Sequence, residues 1–183
     1  MSGVELRPRR PEDLPGLGEL LLEQQPVSDY PHVRPKLEAV AAFLARSTEE
    51  AAWVAVHRRG GVEELLGHVA VTRIARGAEG EEETLAWCEG AGCAPEELRV
   101  VGALFVGLHA TGLGAGVALL RRATEHVLDA GRVPCLDVLP THDRAVALYR
   151  HLGWVEVGRL RPDWLADWAP EVIAMVHPAG RRG

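Results

Sequence analysis

Two rhythms of apolar residues run along the chain. Short continuous or alternating runs predict strands, and stretches with a three-to-four-residue period predict helices. Residues 4–7 read as a short strand. Pro11-Glu12-Asp13 then opens a helix, with Leu14, Leu17, Leu21 and Leu22 on one stripe and acidic residues in its first turn. Prolines at 26 and 31 predict a loop over 25–31. A second helix is expected from Pro35 to Ser47, with Leu37, Val40, Ala41 and Leu44 at helical spacing. Residues 52–56 and 65–71 are β-rich runs on either side of Gly60-Gly61, which is hairpin chemistry.

Residues 76–97 are Gly- and Glu-rich around Trp87 and read as an exposed insertion carrying one short helix. Leu98 to Val106 is almost wholly apolar, so it should be a strand covered on both faces. A glycine loop follows, then a helix to about Ala130 with Val117, Leu120, Val127 and Leu128 inward. Arg121 and Arg122 begin its solvated side, and Gly131 ends it. Residues 133–139 form another strand, and Asp143 to Leu152 a helix with Ala145, Leu148 and Leu152 on its core stripe. The tail alternates over 155–157 and 172–176, giving two strands around a loop that holds Trp164 and Trp168. This order defines an α/β (α+β) fold, one mixed sheet with helices on both faces. With no repeat and no low-complexity linker, residues 1–183 read as one domain, with the insertion at about 76–97.

Composition narrows the partners. Of the 183 residues, 47% are apolar and 25% charged, and the formal net charge is −6. A nucleic acid or an anionic membrane needs a concentrated basic face, so neither is expected as a partner. No apolar run approaches the roughly 20 residues that span a bilayer. The first residues turn charged and Pro-rich without the apolar core of a signal peptide, and a cytoplasmic location is expected. The cysteines, Cys88, Cys93 and Cys135, are odd in number and unlike a secreted disulfide framework. Cys88 and Cys93 have no second ligand pair, and the histidines show no metal spacing, so no metal is expected.

The candidate chemistry centres on Thr111-Gly112-Leu113-Gly114-Ala115-Gly116, between a buried strand and a helix. Glycines there allow unusual φ and close approach of backbone N–H groups, and the helix start adds donors and a partial positive charge. A dinucleotide fingerprint needs a third glycine three residues after the second, but position 117 is Val. A P-loop needs Gly-Lys followed by Ser or Thr, and the loop contains no lysine. An anion-binding turn and a ligand-free tight turn both remain open on the loop alone.

Leu104-Phe105-Val106-Gly107-Leu108-His109-Ala110, continued by Thr111 to Gly116 and Val117-Ala118-Leu119-Leu120, resembles the acyl-CoA motif of the GCN5-related N-acetyltransferases. Leu136-Asp137-Val138 followed by His142-x-x-Ala145-x-x-Leu148-Tyr149-x-x-x-Gly153-Trp154 is similar to that family's second signature. The opening Leu6-Arg7-Pro8 with Glu12-Asp13-Leu14 is similar to its first strand and helix. The likeness implies a splayed, mostly antiparallel sheet, with acetyl-CoA in the opening between the strands at 98–106 and 133–139. It implies that the pantetheine arm pairs with backbone around Phe105, Val106, Gly107 and Leu108. The pyrophosphate is then expected on amides from Thr111, Gly112, Leu113, Gly114, Ala115 and Gly116 to Val117, with His142 and Tyr149 also on the cofactor. It further implies an amine acceptor, from small molecule to peptide, and a homodimer.

Acyl transfer to an amine needs a neutral nucleophile, a polarised carbonyl and a proton for the departing thiolate. The tyrosine that the resemblance places near the thioester is Tyr149, a phenol that stays protonated at neutral pH and suits the role of general acid. Glu97, Asp137 and Asp29 are the candidate bases, acting through water. Thr111 stands where Arg or Gln is usual in the family, Leu113 where a basic residue is common, and Leu108 replaces a frequent proline. Arg121, Arg122 and Arg144 are the candidates to replace the lost charge. Two functions fit these residues: an acetyltransferase acting by direct attack in a ternary complex, and a non-catalytic acyl-CoA-binding or sensing module. The acceptor pocket is expected from loops 25–35, 76–97 and 161–168, where Asp29, Tyr30, Asp167 and the tryptophans suit a cationic or aromatic amine.

Overall fold

The hairpin forms as its turn residues predict, with strands longer than the apolar runs alone. In the computed structural model, which describes residues 3–74 and 80–180, β2 spans Glu49–Arg59 and β3 spans Val62–Arg73. β1 (Glu5–Pro8) pairs antiparallel with β2, from Glu5↔Val56 to Pro8↔Trp53. β4 (Leu98–Val106), β5 (Val133–Val138), β6 (Val155–Leu160) and β7 (Val172–Val176) complete a seven-stranded sheet in the order β1-β2-β3-β4-β5-β7-β6. The β1–β2, β2–β3, β5–β7 and β6–β7 pairs are antiparallel, and β4–β5 is parallel. That is the mixed, mostly antiparallel sheet that the family resemblance implies.

The chain divides into two compact units, Met1–Thr72 with Val101–Ala123, and Arg73–Val100 with Thr124–Gly183. In the first unit, α1 (Leu14–Ser28) and α2 (Val40–Leu44) cover the hairpin, and Leu17, Leu21, Val40, Leu44, Val54, Val56 and Phe105 form one apolar cluster. α1 runs through Pro26, where a loop was expected. A proline in a helix strips the carbonyl four residues earlier of its donor. Here that carbonyl belongs to Leu22, and the Arg34 guanidinium donates to it at 3.0 Å. The second helix is shorter than expected: Leu37 and Ala41 are exposed, while Val40 and Leu44, with Phe43 beside them, anchor it.

An ion-pair cluster fixes the start of this unit. Arg7 donates to both carboxylate oxygens of Asp13, each at 2.8 Å, and also pairs with Glu63 on β3. Asp13 accepts the Arg10 backbone N–H at 2.6 Å as well. The Arg7 hydrogen bond, against an opposing cost of burial, holds the Asp13 carboxyl below the usual carboxylate range.

In the second unit, α3 (Glu81–Ala91) corrects the picture of residues 76–97 as an exposed insertion, though 76–79 lie outside the described residues. Trp87 is buried, its indole N–H donates to Leu136 O at 3.0 Å, and Ala91 packs with Leu98, Val133 and Cys135. An apolar stripe at i and i+4 had been masked by the surrounding glutamates. All three cysteines are free and gather around this cluster, where burial raises each thiol, Cys93 to about 11. α5 (Asp143–His151) follows β5, with Ala145, Leu148 and Leu152 half-buried and Val146 buried. No described helix is long and apolar enough to cross a membrane.

Candidate functional site

β4 carries the chain into the glycine loop, and the neighbouring strand is shaped to receive it. Phe105 is buried among Leu17, Leu21, Val54 and Val56, so its ring belongs to the core and it offers a ligand only backbone groups. Opposite, β3 carries Gly67, where an added Cβ would lie 2.6 Å from Phe105 O and 3.3 Å from the Val106 Cα. A glycine inside a strand commonly marks such a close backbone approach. The β2–β3 register slips between Ala55↔Gly67 and Val56↔Leu65, leaving Leu66 as the extra residue of a bulge. Its carbonyl accepts the Gly107 N–H at 2.9 Å, which fixes where β4 ends. Gly107 is itself confined, since a Cβ would meet Leu20 Cδ1 at 2.4 Å.

Past Gly107 the chain makes a tight turn over Leu108–Ala110 and enters α4 (Ala115–Asp129). The turn bonds are Ala110 N–H to Gly107 O at 3.0 Å, Thr111 N–H to Leu108 O at 3.3 Å and Leu113 N–H to Ala110 O at 3.2 Å. Gly112 and Gly114 have φ of +84° and +82°, the left-handed region that side chains resist. A Cβ on either would meet nothing within 4 Å, so conformation and not crowding demands glycine, and the backbone there is open to a ligand. Gly116 differs: it lies inside α4, where a Cβ would make an ordinary 3.4 Å contact with Val106 Cγ2. The first α4 hydrogen bond of this turn runs from Ala118 N–H to Gly114 O, leaving the Ala115, Gly116 and Val117 amides without an intrahelical acceptor. Those donors, at the positive end of the helix dipole, suit a pyrophosphate, which supplies acceptor oxygens and negative charge.

The side chains around the loop add little charge. Thr111 and Leu113 are exposed. His109 Nε2 lies 3.4 Å from Glu64 Oε1. Arg122 is stacked on Trp53, 4.9 Å from the ring centroid, while Arg121 is exposed. Affinity for an anion at this loop therefore falls mainly to the backbone.

Behind β4 stands a buried group that the pattern of the sequence left unremarked. His68, in the apolar run of β3, is fully buried, with Nδ1 2.9 Å from Ala103 O and Nε2 3.2 Å from the Arg9 guanidinium. Arg9 is in turn clamped by both carboxylate oxygens of Glu49, at 2.7 and 2.9 Å. Burial above all, with the Arg9 charge adding to it, lowers the His68 pKa to about 4, so the ring is neutral at physiological pH. Ala103 has φ +47°, and for a residue with a Cβ that costs about 1–2 kcal/mol. The visible hint was a Gly67-His68 pair inside the otherwise apolar run 65–71.

The remaining candidates are distributed as follows. Asp29 caps α1 with φ +55°, its carboxylate 3.1 Å from His32 Nδ1. Glu97 accepts the Ala94 N–H at 3.1 Å in the turn that precedes β4. Asp137 is half-buried on β5, in register with Ala174 of β7. His142 starts α5, and its carbonyl accepts Val146 N–H at 3.0 Å. Tyr149 is half-buried on α5 with its ring 6.1 Å from that of Trp154, which packs edge-on against His177. Residues 105–107 and 111–117, with Asp29, thus belong to the first unit, and Glu97, Asp137, His142 and Tyr149 to the second. Among the described residues no group of three or more His, Cys, Asp or Glu could hold a metal ion.

A strand, a glycine turn with two left-handed positions and a helix start with open amides make a loop suited to an anion. The model of the acetyltransferase (GNAT) family matches residues 15–154, and the chain belongs to that family, whose members are acetyl-CoA-dependent N-acetyltransferases. Among solved structures, NAA60 of Arabidopsis thaliana in complex with acetyl-CoA is 23% identical, with 94% of this chain and 97% of that one covered and a TM-score of 0.65. Spermidine N-acetyltransferase from Vibrio cholerae, solved with CoA and spermine, is 16% identical over 98% of both chains, with a TM-score of 0.67. Ribosomal-protein-alanine N-acetyltransferase from Brucella melitensis is 19% identical, covering 94% and 98%, with a TM-score of 0.65. No curated protein matches in sequence.

Proposed function

We propose that this chain moves the acetyl group of acetyl-CoA directly to a primary amine within a ternary complex, without an acyl-enzyme intermediate. The observation that carries this reading is the loop of Gly112 and Gly114, which turns β4 into α4 and leaves the amides of Ala115, Gly116 and Val117 available. Phe105, Val106, Gly107 and Leu108 would flank the pantetheine arm, Thr111 to Val117 the pyrophosphate, and His142 the cofactor from its helix start. The β4–β5 ladder runs from Leu98↔Val133 to Val100↔Cys135, which leaves the later part of β4 as the stretch to receive the arm. The neutral amine attacks the thioester carbon, the C–S bond breaks, and Tyr149 gives its phenolic proton to the departing thiolate. The proton lost by the amine passes through water to a carboxylate. Asp137, Glu97 and Asp29 are the candidate carboxylates.

Two of the relatives named above are named for spermidine and for ribosomal-protein alanine, and an amine on a small molecule or a peptide is the acceptor class proposed here. A cytoplasmic location, supported by three free thiols, and a homodimer complete the proposal.

Acetyl-CoA is expected to raise the melting temperature in a thermal-shift assay, since a ligand that binds only the folded state must stabilise it. No shift at saturating cofactor would overturn the reading. CoA release should then appear with at least one member of a panel containing spermidine, an N-terminal-alanine peptide and aromatic amines. Tyr149→Phe is expected to lower kcat by about 10²-fold or more, the range of a lost general acid, with the thermal shift kept. A thermal shift with no release on any amine, and no effect of Tyr149→Phe, would favour the sensing module.

A further inference from the structure

We infer that His68 is a positioning residue for acyl transfer: held by Arg9, it grips the Ala103 carbonyl and keeps the left-handed bend in β4 that aims Leu104 to Val106. The inference rests on the acetyltransferase reading for its functional half, and on geometry alone for its structural half.

Arginine decides the direction of the chain of contacts. Its guanidinium has no acceptor, so the His68 Nε2 that it approaches at 3.2 Å must be the lone-pair nitrogen. The proton of the neutral ring then sits on Nδ1 and is donated to Ala103 O at 2.9 Å. Arg9 cannot swing away, because Glu49 holds it through both carboxylate oxygens and Leu44 O accepts from it too. The ring is also wedged against Phe105, with centroids 5.7 Å apart. Of the charged and titratable groups facing the ring, Arg9 is in contact with it, and Asp13 acts on it from further off. The result is one tautomer, one ring orientation and one fixed donor.

That donor meets the backbone where β4 departs from a regular strand. Ala103 adopts φ +47°, a conformation an alanine holds only when its surroundings repay the strain. Irregularities of this kind re-aim the residues that follow them. Those residues are Leu104, Phe105 and Val106, the backbone proposed to carry the acyl-pantetheine. Phosphate capture by the α4 amides lies beyond Gly107, whose own N–H is fixed separately by Leu66 O. Loss of the His68 donor should therefore misplace the thioester while leaving the pyrophosphate in its cradle.

The test uses His68→Asn, whose amide donor can replace Nδ1, and His68→Gln, which reaches the Arg9 end but leaves Ala103 O without its donor. Carbon-13 chemical shifts of Ala103 report its φ in the cofactor-free protein. Wild type and His68→Asn are expected to show a left-handed Ala103, and His68→Gln an extended one. With the best acceptor of the amine panel, kcat should fall at least ten-fold in His68→Gln and recover to within about three-fold in His68→Asn, because small misplacements of a reacting group are costly. The dissociation constant for CoA, measured by titration calorimetry, should stay within two-fold throughout. A left-handed Ala103 in His68→Gln would overturn the inference, as would an unchanged kcat despite an extended Ala103, or a loss of CoA affinity equal to the loss of kcat. If the wild-type chain shows no thermal shift with acetyl-CoA, the acetyltransferase reading falls, and the Ala103 shifts still decide whether His68 sets the bend.

Discussion

Replacing Gly67 by alanine is expected to lower stability and to cut acetyl-CoA-dependent turnover by about two orders of magnitude. The added Cβ would lie 2.6 Å from Phe105 O and 3.2 Å from Leu119 Cδ1. The leucine tip can turn aside, but the carbonyl is backbone and moves only if β4 moves. Forcing an extra carbon into a packed core costs on the order of 1–3 kcal/mol. The displaced atoms here are Phe105 and Val106, proposed to hold the acyl-pantetheine, and an ångström of misplacement costs about 10²-fold in rate. Chemical denaturation gives the first quantity and kcat/KM the second. A Gly67→Ala protein with wild-type kcat/KM would show that the closeness of β3 and β4 at this point is irrelevant to transfer.

Removing Arg7 is expected to have the largest effect on stability. The Arg7 and Asp13 side chains are only 13% and 7% exposed, and Asp13 would lose its bidentate partner and keep the Arg10 backbone N–H. Breaking such a pair from one side costs about 3–5 kcal/mol. The pH dependence follows from the Asp13 carboxyl, which Arg7 holds below its ordinary value. A carboxyl with a lowered folded-state pKa adds stability that is fully present above its unfolded pKa, about 3.9. That contribution is lost as pH falls through the lower folded value. The stability gap between wild type and Arg7→Ala should thus be full at neutral pH and narrow below about pH 4. Urea denaturation from pH 3 to 7 measures it, and a gap that stayed constant to pH 3 would rule out the ion pair as its source.

Much of the candidate site was readable because its chemistry is local. The turn at Gly112 and Gly114 depends on backbone conformations that glycine adopts and other residues avoid, so its residue types are visible without a fold. The boundaries of β4 were legible for a similar reason, since nine consecutive residues rich in valine and leucine have little choice but a buried strand. Where neighbours in space decide, the sequence misled. Pro26 looked like a helix end and is not one, because Arg34 satisfies the carbonyl that the proline orphans. The segment around Trp87 looked like a solvated excursion, because the seven glutamates of 76–97 hid an apolar stripe that only its packing against Leu98 and Cys135 reveals.

The sequence by itself determined the class of this protein: the order of strands and helices, the glycine turn, and the two motifs that resemble the acetyltransferase family. Those features repeat at short spacing, and short-range backbone preferences encode them. Only the tertiary structure decided that Phe105 offers its backbone and not its ring, that Gly67 exists to admit β4, and that His68 is neutral and donates to a strained Ala103. Each of these depends on residues more than thirty positions apart meeting in a buried place. There the loss of water makes one hydrogen bond or one methyl group decisive, and no local pattern carries that information.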